Sequence, residues 1–400
     1  MSQADALLSP AGARLLDRLR GVTVTPSQAL SLAAELRSEY PPDLVAAALT
    51  QQALRTAARE KFSRADAMLF TRAGLEQASS ELTATHSARR FAGLALVADL
   101  CCGIGGNLTA LSAAAGRLVA VDADVDALRF AGHNAVVYGA AEGVTLVCAD
   151  VRRLTYGSGR SARLAGLFVD PARRAAGRRL RAGDSEPPLD WCFALARHVP
   201  AVCIKAAPGL PHALVPADWE AEFVASGRAL KEALLWSPAF ATTRRRATVL
   251  PGGAALIAAP GEPVPVAGPG EYLLDPNPAV TRAGLVQELG RQLGAWQLDP
   301  LTAFLSLDRG VSTPFARTLR VVASLPWHER EVARRLRGLG VGTVDIRRRG
   351  LAGDVGLIRR RLRLRGDRSA TIVITRRAGR PWGLICEAVP DQAADPGTPR

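Results

Sequence analysis

The chain has 400 residues, is 48% hydrophobic and carries 51 Lys and Arg against 37 Asp and Glu, a formal charge of +14. That length calls for two or three domains, with apolar residues enough for their cores. No run of 18 apolar residues exists, which excludes a helical membrane span, and the positive balance suits a polyanion such as RNA or DNA.

Almost every base is arginine; Lys61, Lys205 and Lys231 are the lysines. A GC-rich genome yields the same bias alongside abundant Ala, Gly and Pro, so charge alone leaves the partner open.

Residues 1–90 predict a helical region. MSQADALLSPAG has no basic stretch leading into an apolar one, so no secretory leader is expected and the expected location is cytoplasmic. LSPAGARLLDRL, PSQALSLAAELR and DLVAAALTQQALRTAARE carry apolar residues at helical spacing, with Ser9 and Ser27 placed to cap helix starts. LFTRAGLEQASSELTATHSARRF is also largely helical in pattern.

From residue 94 short β-rich runs alternate with helical segments: LALVADL, LTALSAAAG, RLVAVDAD, VDALRFAGHNAVVYG, VTLVCAD, LAGLFVD, a helix near 189–198, then PAVCIKAAP. Over residues 91–260 this predicts a parallel sheet with helices on both faces. EALLWSP and RATVLPGGAALIAAP are its expected last strands. Residues 261–319 begin dense in Pro and Gly and predict a linker, followed by a connecting helix around 279–294. Residues 320–400 predict a small α/β module: LRVVASLPW, GTVDIRRRG, ATIVITRR and WGLICEAV as strands, HEREVARRLRGLG and DVGLIRRRLRLRG as helices.

Six cysteines, Cys101, Cys102, Cys148, Cys192, Cys203 and Cys386, form no C-x-x-C pair. Their spacing matches no zinc site or disulfide scaffold, so a reduced state and no metal are expected.

The chemistry concentrates in VADLCCGIGGN, residues 97–107, where the first strand ends and a helix begins. Parallel α/β sheets bind ligands at that position, and glycines let the backbone approach them. Gly103, Gly105 and Gly106 fall as G-x-G-G, short of the dinucleotide pattern. Asp99, just before the loop, would repel a pyrophosphate but accepts hydrogen bonds from an ammonium. That favours S-adenosylmethionine over NAD, with Cys101, Gly103, Gly105 and Asn107 in the loop that holds it. Asp122 ends the second strand, where an acid accepts from ribose hydroxyls. Asp150 ends the third, placed for the adenine amine. Three acids at three successive strand ends are the specific signal; the competing explanation is that each caps a following helix. Of the two adjacent cysteines, one is expected beside the ligand and the other in the sheet, with a nucleophilic thiol as a lesser option.

These residues resemble the cofactor half of class I S-adenosylmethionine-dependent methyltransferases, and DLCCGIGGN, VAVDAD and HNAVVYGAAEGVTLVCAD resemble RNA-cap trimethylguanosine synthases in particular. By that resemblance Thr71, in LFTRAGLEQAS, closes over the site; the alternative is an ordinary helix cap. More of the chain resembles bacterial methyltransferase-like proteins with a C-terminal THUMP-like domain, through FTRAGLEQAS, DLCCGIGG, LFVDPARR, KAAPGL, DPNPAVTRAG and DIRRRG…TIVITRR. The fold class implied is α/β: a Rossmann-like class I methyltransferase sheet, an N-terminal helical region and a small THUMP-like domain.

Amino methyltransferases commonly carry Asp/Asn/Ser-Pro-Pro and an aromatic at the fourth strand's end. Here Asp170-Pro171-Ala172-Arg173-Arg174 lacks the second proline and the aromatic. Asp170 still orients or deprotonates an acceptor, and Arg173 and Arg174, followed by Arg178, Arg179 and Arg181, are candidates for phosphates or form a solvated loop. Trp191 and Trp236 are candidate stacking residues. Lys205, ending AVCIK, is a third catalytic candidate beside Asp170 and Pro171. Cys203 shares its face and opens a carbon-5 pyrimidine chemistry, against a plain core cysteine.

In the last module Arg347, Arg348, Arg349, Arg359, Arg360 and Arg361, with Arg363 and Arg365, exceed the general arginine bias and suit RNA backbone more than base contact. The expected function is RNA methylation, tRNA before other RNAs. The alternatives are a non-catalytic RNA-binding protein with a retained pocket, and a methyltransferase for small molecules or proteins. No membrane partner is expected.

Overall fold

A computed structural model describes residues 2–22, 26–156, 163–172, 174–175, 178–179, 184–351 and 353–389. The chain divides into two compact units, residues 1–221 with 231–244, and residues 222–230 with 245–400.

The first unit opens with helices α1 (Gln3–Leu8), α2 (Pro10–Arg18), α3 (Pro26–Leu36) and α4 (Pro42–Ala58). Ser9 caps α2 by accepting from Gly12 N–H at 3.0 Å, with Pro10 at the first helical position. Their apolar stripes close on one another through Leu7, Leu15, Leu36 and Val45, and the same cluster includes Phe70, Ile104 and Phe130. The N-terminal helices therefore share a core with the glycine loop, through Ile104, and with the helix that carries Phe130. Short helices α5 (Arg72–Gln77) and α6 (Glu81–Ala88) lead into it.

Strands β1 (Leu96–Leu100), β2 (Arg117–Asp122), β3 (Val144–Cys148) and β4 (Gly166–Val169) follow, with α7 (Leu108–Ala114) and α8 (Val125–Val137) between the first three. A two-residue-strand hairpin, β5 (Arg174–Ala175) and β6 (Arg178–Arg179), precedes α9 (Leu189–Ala194) and β7 (Ala201–Ala206). β1 pairs in parallel with β2 and β4, β2 with β3, and β4 with β7. The chain thus winds outward on both sides of β1, and the carboxyl ends beside β1 form the crevice where such sheets bind ligands. After β8 (Glu220–Ser226), β9 (Ala229–Trp236) returns antiparallel against β7.

In the second unit, β10 (Arg245–Leu250) and β11 (Ala254–Ile257) make an antiparallel hairpin. A seven-stranded sheet is built from β12 (Tyr272–Pro276), β13 (Trp296–Gln297), β14 (Leu305–Leu307), β15 (Ala316–Pro326), β16 (Val341–Arg348), β17 (Arg368–Arg377) and β18 (Arg380–Ala388), in the order β13-β14-β12-β15-β18-β17-β16. Helices α10 (Pro278–Ala283) and α11 (Val286–Leu293) replace the single helix expected over 279–294, because Gly284 adopts φ +68° and ends the first. α12 (Glu329–Gly338) and α13 (Val355–Leu362) cover one face through Val332, Leu336, Ile358 and Leu362. The stretch expected as a linker instead supplies β12, which pairs with β15, so the boundary drawn at 319/320 falls inside β15.

Candidate cofactor and acceptor site

At the carboxyl ends of β1, β2 and β4 the first unit encloses a cleft of about 390 Å³, within the range of small-ligand sites. Its floor is the glycine loop. Cys101, Gly103 and Gly105 all have positive φ, +61°, +54° and +83°. At Cys101, which has a Cβ, that conformation costs roughly 1–2 kcal/mol, a strain of the kind concentrated at functional sites. Asp122 holds the turn: its Oδ2 accepts from Gly103 N–H at 2.8 Å and its Oδ1 from Asp124 N–H at 2.9 Å.

Asp99 lies beneath this loop, fully buried and outside the cleft wall. Neither carboxyl oxygen has a hydrogen-bond partner. Burial pushes its pKa well above the usual carboxylate range, repulsion from Asp170 adds to this, and Lys205 opposes it. The buried amide oxygen of Asn107, on the cleft wall, is likewise without a partner. The orphaned Asn107 oxygen is what an amino-bearing ligand in the cleft would satisfy, so the wall fits S-adenosylmethionine; Asp99, expected to take the ligand's ammonium, is instead buried behind the loop and does not face the cleft.

Asp150 lines the cleft, but its carboxylate is already engaged. It accepts from Arg152 N–H, Nε–H and a terminal N–H at 3.0, 3.0 and 2.9 Å, and the guanidinium holds its pKa down to about 2. Arg152 also meets Glu186 at 2.7 Å. Thr71 is both the cap of α5, accepting from Gly74 N–H at 2.9 Å, and part of the wall.

Asp170 follows β4, one-fifth exposed and on the wall. Its N–H donates to Leu100 O at 3.0 Å, and Lys205 Nζ donates to its Oδ2 at 2.7 Å. Pro171 is buried behind it, and Ala172 and Glu186 exchange paired backbone bonds. Lys205 is 4% exposed and does not reach the wall, so its contact is with Asp170 rather than with the cleft. Arg173 and Arg181 lie outside the described residues, as do the side chains of Arg174, Arg178 and Arg179.

Burial decides several of the other sequence candidates. Cys203 is fully buried in β7, which leaves it a core residue and removes the carbon-5 chemistry. Burial pushes the Cys101 and Cys102 thiols up, against nucleophilic use. Trp236 is sealed among Phe91, Phe240 and the Arg90 guanidinium, so it cannot stack on a base. Trp191 packs edge-on against Tyr156 at 6.2 Å. Among the described residues the cleft wall holds no aromatic ring. Arg152, Gln77 and Glu186 on the wall are positions the motifs did not signal, although Asp150-x-Arg152 is a legible local ion pair.

In the second unit the arginines separate into two sets. Arg349 bonds Asp275 at 3.0 Å, Arg348 bonds Leu351 O at 2.8 Å and Arg347 bonds Asp345 at 2.9 Å. Arg359, Arg360 and Arg361 on α13 are exposed, and so are Arg330, Arg334, Arg335 and Arg337 on α12, which sequence motifs did not single out.

Residues 94–172 match the family described as RNA cap guanine-N2 methyltransferase, residues 316–388 the family described as THUMP domain-like, and residues 1–58 a domain family of unknown function. An S-adenosylmethionine-dependent methyltransferase of Mycobacterium tuberculosis, found in strains CDC 1551 and H37Rv, is 38% identical over 314 residues, spanning 77% of this chain and 84% of its own. The chain belongs to the S-adenosylmethionine-dependent methyltransferases.

The cofactor of this methyltransferase is S-adenosylmethionine, and the non-catalytic alternative falls away. A methyltransferase structure from Porphyromonas gingivalis W83 shares its fold, with a TM-score of 0.70 over 91% of this chain and 99% of that one at 19% identity. Among the described residues no helix is long and apolar enough to cross a membrane.

Proposed function

We propose that this methyltransferase modifies a cytoplasmic RNA, with tRNA the first class to test. The observation that carries this is the joining, in one chain, of a cofactor half like the cap guanine-N2 enzymes to a THUMP-like module whose two helices expose seven arginines. Six free cysteines suit a reducing compartment.

Asp122, Asp150, Asn107, Thr71, Cys101 and the glycines Gly103 and Gly105 hold the cofactor, with Asp99 buried behind their loop, and the cofactor supplies an electrophilic methyl on a sulfonium. Asp170 accepts a hydrogen bond from the acceptor group and aims its lone pair at that methyl. The catalytic gain is mostly positioning. Exposed arginines on α12 and α13 hold the RNA backbone as an electrostatic surface. Comparing modified nucleosides by mass spectrometry in RNA from strains with and without the gene tests this. A nucleoside lost with the gene, and restored in vitro by the purified enzyme, is expected. Identical nucleoside profiles would overturn it.

A further inference from the structure

The segment 71–80 roofs the cleft: Thr71, Gly74, Gln77 and Ala78 are part of its wall. It lies so close to the glycine loop that a Cβ on Gly74 would sit 2.6 Å from Ile104 Cγ2, and one on Gly106 3.0 Å from Ala78 Cβ. The roof cannot shift without disturbing the loop that holds the cofactor.

Two buried ionisable side chains from the sheet seize the end of this roof. Lys205 on β7 donates to Gln77 O at 3.2 Å, and Glu232 on β9 accepts from Ser79 Oγ at 3.0 Å. Both are 4% exposed and neither lines the cleft. The same Lys205 ammonium donates to Asp170 Oδ2 at 2.7 Å. A buried ammonium persists only where its protons are met and its charge is opposed. Here Asp170 and Glu232 oppose it and Gln77 O meets a further proton. Lys205 stands opposite Leu234 on β9, which puts Glu232 on the diagonal of the same sheet face.

We propose that Lys205 and Glu232 are positioning residues that tie the cofactor roof to the acceptor carboxylate, so that one buried ammonium sets both the affinity for cofactor and the aim of Asp170. Glu232 acts through Lys205: its negative charge keeps the ammonium at the junction, while its Ser79 bond fixes the roof's end. The proposal rests on Asp170 being the acceptor-orienting group, but its cofactor arm does not.

The test uses the full chain and S-adenosylhomocysteine as probe, measured by calorimetry. K205M is expected to weaken binding by about tenfold or more although Lys205 does not line the cleft, a loss within the range for residues that modulate a site from outside it. E232Q, which keeps an acceptor for Ser79 but removes the charge, is expected to weaken it about threefold or more. The double variant is expected to bind no more weakly than K205M alone, since Glu232 works through Lys205. Hydrogen exchange is expected to rise at residues 74–80 in K205M. Binding of K205M within about twofold of the wild type, or a double variant that multiplies the single effects, would overturn the proposal. Should K205M fail to fold, K205Q serves in its place. Wild-type protein that does not bind the probe would refute the cofactor cleft itself, and D170N that methylates RNA normally would refute the acceptor role. Neither result can be confused with an intact K205M.

Discussion

Asp99 and Asp122 stand at successive strand ends yet have opposite environments, and their variants should behave oppositely. Asp122 satisfies two backbone N–H groups of the loop. D122A should therefore abolish detectable S-adenosylhomocysteine binding by calorimetry and lower thermal stability. Asp99 satisfies nothing, and burial, with repulsion from Asp170, raises its pKa. A carboxyl whose folded pKa is raised binds its proton more tightly when folded, so its contribution to stability falls as pH rises above the unfolded value of about 4. D99N removes that loss. Its melting temperature should match or exceed the wild type at about pH 8 and lose this advantage towards about pH 4, while its affinity for the cofactor falls. A variant that melts lower than wild type at alkaline pH would show that Asp99 is ionised and paired. Asp150, pulled down to about 2 by Arg152, acts with the opposite sign: its contribution to stability is full above the unfolded value of about 4 and is lost as pH falls towards about 2.

At the scale of elements, the strands whose inward faces are apolar were readable, and so were the acids at their ends. β8 was not, because its inward positions are acids: Glu220 and Glu222 are fully buried. Glu220 meets Arg90 at 2.6 Å and Thr242 N–H at 2.8 Å, and Glu222 accepts from Thr248. A strand buried on both faces announces itself by a continuous apolar run, and the two acids of EAEFVAS interrupt it. E220A should destabilise the protein by about 3 kcal/mol in denaturant titration, because it leaves the Arg90 guanidinium without its buried counter-ion. Glu232 escaped notice for the same reason, as one acid in the apolar run KEALLW. Residues 261–280 misled in the opposite sense. Pro and Gly there are close packing, not slack: a Cβ on Gly268 would stand 2.8 Å from the Arg377 guanidinium and one on Gly270 2.4 Å from Asp308 Oδ1. Pro276 ends β12, and Pro278 begins α10.

At the scale of the molecule, the excess positive charge is not one undivided RNA surface. Arginine density marked the C-terminal module correctly as basic, but sequence cannot show which guanidinium groups face buried acids. Asp275, 3% exposed, binds Arg228 at 2.7 Å and Arg349 at 3.0 Å, and Arg349 also lies over the Phe304 ring. R349A should therefore cost stability first, leaving Asp275 half-compensated. Arg359 and Arg360 are exposed on α13, and Arg361, also exposed, has only a loose contact with Glu329 at 3.6 Å. Replacing all three with Ala should leave the melting temperature and S-adenosylhomocysteine affinity unchanged. It should weaken RNA binding in a filter assay and flatten its dependence on log salt by up to about 2–3. An unchanged salt slope would remove α13 from the RNA surface. Point changes of this kind are the sound test. A cut at residue 320 would leave β12 without β15, its partner from Tyr272 to Pro276, and expose a long apolar edge. RNA binding lost by such a truncation would report an unravelled sheet rather than a missing contact.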